Sequence, residues 1–451
     1  MATKTKKTTG QKKDEQLVLR GGVPLKGTVV VRGAKNSVSK IMVAALLTTE
    51  ECTLHNVPDI EDVHVVCAMI TALGGEVRWQ STTGIVTIRA RSLNTIPPES
   101  LHKIAGKSRI PILFSGPLLH RLKEALVPEL GGCNIGSRPV NYHLAALEKM
   151  GAAVKDVPDG YYMTAPRLRG TTVSLEYPSV GATEQVLLAA VLAEGKTELS
   201  NAAVEPEILD LIAVLQKMGA IISVDTDRTI TIIGVARLQG FKHAAMTDRI
   251  EVASWACAAF VTNGKIFVQN ARQQEMMTFL NKYRQVGGEF EVRDNGIVFW
   301  RGDALKPIAL ETDVHPGFMT DWQQPFTVVL TQVPGPSIVH ETVYEDRFGY
   351  VDALNSMGAR IQVFKDCLGG HVCRFGNKNH SHSAVINGPT ELHGADIMIP
   401  NLRAGFSYII AALAAQGETT LHNIGLIRRG YEHFEQKLKK LGAKIVRSPR
   451  S

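Results

Sequence analysis

This 451-residue chain is short of aromatic side chains, at 6%, and of cysteine, with six. The thiols at 52, 67, 133, 257, 367 and 373 are dispersed and mostly set in apolar segments. That distribution argues against a disulfide framework and for a reducing, cytoplasmic setting. No apolar run approaches the ~18 residues of a membrane span. The opening MATKTKKTTGQKKDE has no apolar stretch, so residues 1–15 read as a disordered Lys-rich tail rather than a secretory signal. Charge of one sign is scarce as well. The tail's five Lys against two acids supply +3 of the formal +7, and the remaining +4 is too little for a nucleic-acid surface. A P-loop, a dinucleotide fingerprint and a CxxC pair are all missing, which removes the commonest nucleotide and zinc signatures.

What the chain does have is a sixfold internal repeat. A hydrophobic-Gly-small step recurs at Leu73-Gly74-Gly75, Met150-Gly151-Ala152, Met218-Gly219-Ala220, Val286-Gly287-Gly288, Met357-Gly358-Ala359 and Leu441-Gly442-Ala443, at intervals of 68 to 84 residues. Before each step lies an amphipathic helical segment such as Glu207 to Met218; after it comes a short strand-like run such as Ile221 to Val224. The glycine suits a left-handed helix C-cap. Further upstream, every copy carries a segment apolar on most faces: Ser37 to Thr49, Arg109 to His120, Ala182 to Glu194, Arg249 to Thr262, Asp321 to Gln332 and Arg403 to Gln416. These predict six buried helices in α/β units, with three units to a domain. The expected division is 35–246 for repeats one to three, and 16–34 plus 247–451 for repeats four to six. A cleft between the halves is the expected ligand site.

The starts of the buried helices carry the candidate chemistry. Lys35-Asn36, Arg109, Ser179-Val180-Gly181, Arg249, Asp321 and Arg403 all fall at or just before a first turn, where unpaired N–H groups and positive potential already favour an anion. The loop Gly131-Gly132-Cys133-Asn134-Ile135-Gly136-Ser137-Arg138-Pro139 places a thiol near a guanidinium on a glycine-rich backbone, a setting for a reactive cysteine. A rival window, Cys367, His371, Cys373, His380 and His382, offers zinc-type ligands. Its C-x5-C-x6-H-x-H spacing lacks a CxxC, and the sequence assigns neither a metal nor a cofactor.

At Gly33-Ala-Lys-Asn36, the Cys133 loop, Ser179-Val-Gly-Ala-Thr183, Glu205-Pro-Glu207, His315-Pro316 with Thr320-Asp321, Glu341-Thr-Val343 with Arg347-Phe348, Leu402-Arg-Ala404 and Arg429-Gly-Tyr431, the chain resembles the enolpyruvyl transferases. The resemblance runs from about Leu17 to Val446 and implies a two-domain inside-out α/β barrel built from six βαβαββ-like repeats. It also implies transfer of the enolpyruvyl group of phosphoenolpyruvate to the 3′-hydroxyl of UDP-N-acetylglucosamine, with loss of phosphate, as a step of peptidoglycan precursor synthesis.

By the same resemblance Lys35, Arg138, Arg403 and Arg429 grip phosphoenolpyruvate. Cys133 is the general acid and the thiol alkylated by fosfomycin, and Asp321 takes the proton from the sugar hydroxyl. Asn36, Arg109 and Val343 face the sugar nucleotide, while Pro139, Val140, Asn141, Ser179, Val180 and Gly181 hold the uridine diphosphate. The chain departs from the family pattern at Asn141 and Asn401, where Asp is usual, at Leu426 for His, and at Arg428 for an acid. Ser37 and Ser39 match the sister 3-phosphoshikimate enzymes. A weakly active paralogue and a 3-phosphoshikimate-type transferase are therefore the alternatives.

Overall fold

The computed structural model describes residues 15–105, 108–128, 140–370, 373–376 and 378–447. Cys133, Arg138 and Pro139, the Lys-rich tail to residue 14, and His371 lie outside the described residues.

The repeat is visible first in its glycines. Gly74, Gly151, Gly219, Gly287, Gly358 and Gly442 all have φ between +92° and +100°, the left-handed region that costs a side chain roughly 1 kcal/mol or more. In the third copy Gly219 N donates to Gln216 O and Ala220 N to Leu215 O, both at 2.9 Å, which satisfies the last carbonyls of the Pro206–Lys217 helix. Each glycine closes a surface helix and turns the chain into a strand: Glu76–Gln80, Ala153–Val157, Ile221–Val224, Gly288–Arg293, Ile361–Phe364 and Lys444–Arg447.

The six apolar segments form the central helices α1 (Lys35–Ala44), α2 (Ser115–Arg121), α3 (Val180–Ala190), α4 (Arg249–Val261), α5 (Thr320–Leu330) and α6 (Leu402–Ala414). Every residue of α4 is buried, as are twelve of the thirteen in α6. The second copy departs from the expected continuous helix. It begins as a 3-10 turn, Ile110–Phe114, before α2, because Pro111 and Pro117 lack the N–H groups that a continuous α ladder requires.

Among the described residues, six sheets surround these helices. Five have four strands, with three antiparallel members and one parallel edge strand; the sheet of Glu124–Pro128, Gly160–Thr164 and Ala153–Val157 has three. Two parallel edge strands show where the chain passes from one half to the other. Lys26–Val30 pairs in parallel with Lys265–Gln269, while Lys242–Ala244 pairs with Thr53 to His55. The chain therefore crosses between the halves twice, just before α1 and just before α4. One hydrophobic core is built from residues between Val38 and Ala245, the other from Leu17 to Val31 with Ile250 to Leu441.

Candidate functional site

The two crossings lie side by side and set the backbone of the site. Gly33 bridges Thr247, and Ala34 N donates to Met246 O at 2.8 Å. Asp248 then does two jobs. Its Oδ1 accepts from Ile250 N and Glu251 N to cap α4, and its Oδ2 accepts from Lys35 N at 3.2 Å. The start of α1 is thus tied to the start of α4 across the seam.

Lys35 Nζ reaches Asp62 Oδ2 at 2.6 Å, and Arg429 Nη2 lies 3.4 Å from the other oxygen of the same carboxylate. Asp62 is buried in the first turn of the Glu61–Ala72 helix. Burial pushes its pKa up, but Lys35 and Arg429 outweigh this and hold it below the usual carboxylate range. One acid from the first half therefore fixes a lysine of its own half and an arginine from residues 424–429 of the other.

A second acid organises the start of α5. Asp321 accepts from Arg347 Nη2 at 2.5 Å and from Arg403 Nε at 3.1 Å. Both guanidiniums are buried. Burial opposes the charge on Arg403, yet Asp321 keeps its pKa above the ordinary arginine value. Nη1 of each arginine, and Nε of Arg347, is buried without a protein partner among the described residues. Such donors beside a partly exposed carboxylate suit an anionic guest. Gly430 joins the two clusters, since a Cβ there would lie 3.2 Å from Lys35 Cδ and 2.8 Å from Leu402 at the head of α6. The adjoining Tyr431 ring sits 5.8 Å from Arg403 Cζ.

Glu341, fully buried, accepts from Thr320 Oγ1 at 3.0 Å and from the backbone N–H groups of Val343 and Tyr344 at 2.9 and 3.0 Å. Glu341 thus links Val343 to Thr320, the residue before Asp321 in the first turn of α5.

The groups expected to face a nucleotide meet on the first half. Val140 precedes the Asn141–Lys149 helix, and Ser179 caps α3 by accepting from Ala182 N at 3.3 Å. Val180 and Gly181 open α3, where a Cβ on Gly181 would lie 2.9 Å from the His143 ring. Glycine is needed there for the imidazole to close against the helix start. Asn36 O accepts from Lys40 Nζ at 2.8 Å, and Lys40 reaches Glu184 of α3 at 3.5 Å, so α1 links this group to Lys35.

His143 is buried beside Arg109, and burial first, then that guanidinium, pushes its pKa down to about 4. An unfolded histidine titrates near 6.5, so the unfolded chain takes the proton first and stability falls as pH drops from about 6.5 to 4. We expect His143→Gln to remove up to about 3 kcal/mol of this acid destabilisation, read from denaturant midpoints across that window. Glu184, lifted by burial to about 7, acts with the opposite sign in both proteins and cancels in the difference. Equal slopes for the two proteins would sink the assignment.

Of the basic helix starts, Arg249 is corrected by the structure. Its side chain is 2% exposed and makes two 3.0 Å bonds to Glu207, under the Trp322 ring at 5.1 Å. It braces the halves through this buried pair. Two departures from the family pattern also find local explanations. Asn401 Oδ1 caps α6 by accepting from Arg403 N and Ala404 N, which an amide does as well as a carboxylate. Arg428 pairs with Glu15 and Glu435.

Asp62, Arg347, Asp248, Glu341 and His143 were not singled out as site residues in the sequence. Glu341 and Arg347 stood inside quoted motifs, and Asp62 had only its place in a helix first turn to mark it. An apolar pocket of ≈ 390 Å³, lined by Met69, Ile96, Leu101, Phe114 and Tyr162, holds none of these groups.

The EPSP synthase (3-phosphoshikimate 1-carboxyvinyltransferase) family model matches residues 19–438. The UDP-N-acetylglucosamine 1-carboxyvinyltransferase of Protochlamydia amoebophila is 51% identical over 438 residues, covering 95% of this chain and 93% of that protein. The enzyme of the same name from Chlamydia pneumoniae is 46% identical, covering 93% and 92%. Among solved structures, the enolpyruvyl transferase NikO from Streptomyces tendae superposes with a TM-score of 0.84 at 24% identity, covering 96% of this chain and 98% of that one, a likeness of fold.

Proposed function

Because the chain belongs to the EPSP synthase family of enolpyruvyl transferases, we propose that it transfers the enolpyruvyl group of phosphoenolpyruvate to the 3′-hydroxyl of UDP-N-acetylglucosamine and releases phosphate. The observation that carries this reading is the pairing, at one seam, of Asp321 between Arg347 and Arg403 with Lys35 and Arg429 on Asp62. Both substrates are anions, and the seam supplies cations already fixed by acids, so little reorganisation is needed when charge moves toward the leaving phosphate.

In this reading Lys35, Arg403 and Arg429, with Arg138, grip phosphoenolpyruvate. Protonation of its methylene carbon, assigned to Cys133, makes C2 electrophilic. The sugar 3′-oxygen adds there as Asp321 takes its proton, and the tetrahedral intermediate expels phosphate as its new methyl group returns a proton to the Cys133 thiolate, which restores the C=CH2 bond. Asn36 and Val343 hold the amino sugar, with Arg109 beside it. Pro139, Val140, Asn141, Ser179, Val180 and Gly181 hold the uridine diphosphate. The two hydrophobic cores support a division into domains 35–246 and 16–34 with 247–451, and the reaction is assigned to cytoplasmic assembly of peptidoglycan precursors.

Phosphate release from phosphoenolpyruvate should require UDP-N-acetylglucosamine and stop on fosfomycin treatment; release driven by shikimate 3-phosphate instead would replace this reading with the sister activity. Asp62→Asn keeps the shape of the side chain but removes the charge that holds Lys35 and Arg429. It should lower kcat/KM for phosphoenolpyruvate by about 10²-fold, roughly 2.7 kcal/mol of transition-state stabilisation. An unchanged kcat/KM would separate Asp62 from catalysis.

A further inference from the structure

We propose that His340, Cys367, Cys373 and His382 form a tetrahedral metal site that takes zinc, a site separate from the seam. Their four ligand atoms all lie within 4.8 Å of one another. His340 ends the Gly335–His340 strand, and His382 directly precedes the antiparallel Ser383–Gly388 strand, with His340 opposite Ser383 and the two rings 5.3 Å apart. Both cysteines lie in the excursion between Phe364 and Ser383. A zinc ion with bonds of about 2.3 Å to sulfur and 2.0–2.1 Å to nitrogen has ligand–ligand edges of roughly 3.3–3.8 Å. Cys367 Sγ to His382 Nε2 is already 3.3 Å. The longest edge needs to close by about 1.5 Å or less.

The hydrogen bonds around the cluster fix both imidazoles in the ligating form. Ser383 Oγ donates its one proton to Asp366 O at 2.7 Å and accepts from Leu368 N at 3.1 Å. His340 Nδ1, 2.8 Å from that oxygen, must therefore be its donor, which leaves the lone pair on Nε2. His340 is 0% exposed and its Nε2 has no partner among the described residues. Glu311 Oε1, at 4.0 Å, is beyond hydrogen-bond reach. An orphaned buried nitrogen of this kind is unfavourable unless something fills the position. His382 repeats the arrangement: its Nδ1 donates to His380 O at 2.8 Å and its Nε2 faces Cys367. Two imidazoles oriented by donation from Nδ1 are the usual outer shell of a zinc site.

The sulfur side is prepared as well. Cys373 Sγ accepts from Phe375 N at 3.3 Å, a bond that orients the sulfur. Gly369 passes so close over His340 that a Cβ would lie 2.2 Å from Cδ2, and a Cβ on Gly376 would lie 3.2 Å from Cys367 Sγ. Two thiolates with two neutral imidazoles suit zinc over the harder divalent ions. The sequence window missed this set because one ligand, His340, lies on a distant strand. His380, which it included, faces Asp346.

The metal would pin an excursion that reaches the seam. Arg374, next to Cys373, donates to Val343 O, lies near Glu345, and stacks 4.2 Å from the Tyr177 ring of the other half. The site would hold the brace behind Val343 in place and would take no part in the chemistry.

The test uses untagged full-length protein purified under reductant without chelator. Elemental analysis should find about one zinc per chain, and the cobalt-substituted protein should show tetrahedral ligand-field and thiolate charge-transfer bands. Those bands should vanish in Cys373→Ser and persist in Cys133→Ser. Ser383→Ala, which leaves all four ligands and frees His340 Nδ1, should weaken zinc affinity about 10–100-fold. Chelation should lower the thermal midpoint of the unaltered protein. Substoichiometric metal with no cobalt spectrum, cobalt bands that survive Cys373→Ser, or a Cys367–Cys373 disulfide in metal-free protein would each overturn the proposal.

Discussion

Replacing Asp321 with alanine should lower kcat for sugar-dependent phosphate release by about 10²–10⁴-fold, the range for losing a positioned general base. Two effects are mixed in that variant. Alanine removes the proton acceptor and also leaves the buried Arg347 and Arg403 guanidiniums adjacent with no anion between them. Asp321→Asn separates the effects, because the amide oxygen still accepts from an arginine while its basicity is gone. Equal losses in both variants support proton transfer by Asp321. A severe loss in alanine alone makes the residue a positioning group for the two arginines. A tenfold or smaller change in both would remove Asp321 from the reaction.

The largest effect on stability is expected at Arg249. Arg249→Met leaves Glu207, 3% exposed, as a buried carboxylate stripped of its bidentate partner, at a cost of about 3–5 kcal/mol. Burial alone raises the pKa of Glu207, and Arg249 reverses that shift. Adding Glu207→Leu to Arg249→Met should recover most of the loss, since an apolar pair of similar volume avoids the stranded charge. A single variant whose denaturation midpoint barely moves, or a double variant no better than the single, would mean that the pair does not join the halves energetically.

The same arginine shows why some of the site was legible in the sequence and some was not. Its place at the start of a buried helix was plain, and so was that of Lys35, Arg109 and Arg403. Whether each faces a guest or an internal acid depends on partners far along the chain: Glu207 lies 42 residues from Arg249, and Asp62 lies 367 from Arg429. Cysteine and histidine spacing was incomplete for the same reason, because His340 joins the 367–382 window only through strand pairing. Asn401 ran the other way. As a departure from a pattern it suggested a lost carboxylate; as a cap it is a competent acceptor for two N–H groups.

By itself the sequence determined the repeat: six surface helices stopped by left-handed glycines, six apolar helices and the strands between them. Those features rest on interactions spanning a few residues, where backbone conformation and hydrophobic period act directly. Tertiary structure alone decided that the chain crosses twice between the halves, that Asp62 and Asp321 each collect cations from separate segments, and that two strands and an excursion bring four zinc-type ligands together. Those outcomes are set by which strand pairs with which, and a single chain's local pattern carries no record of that choice.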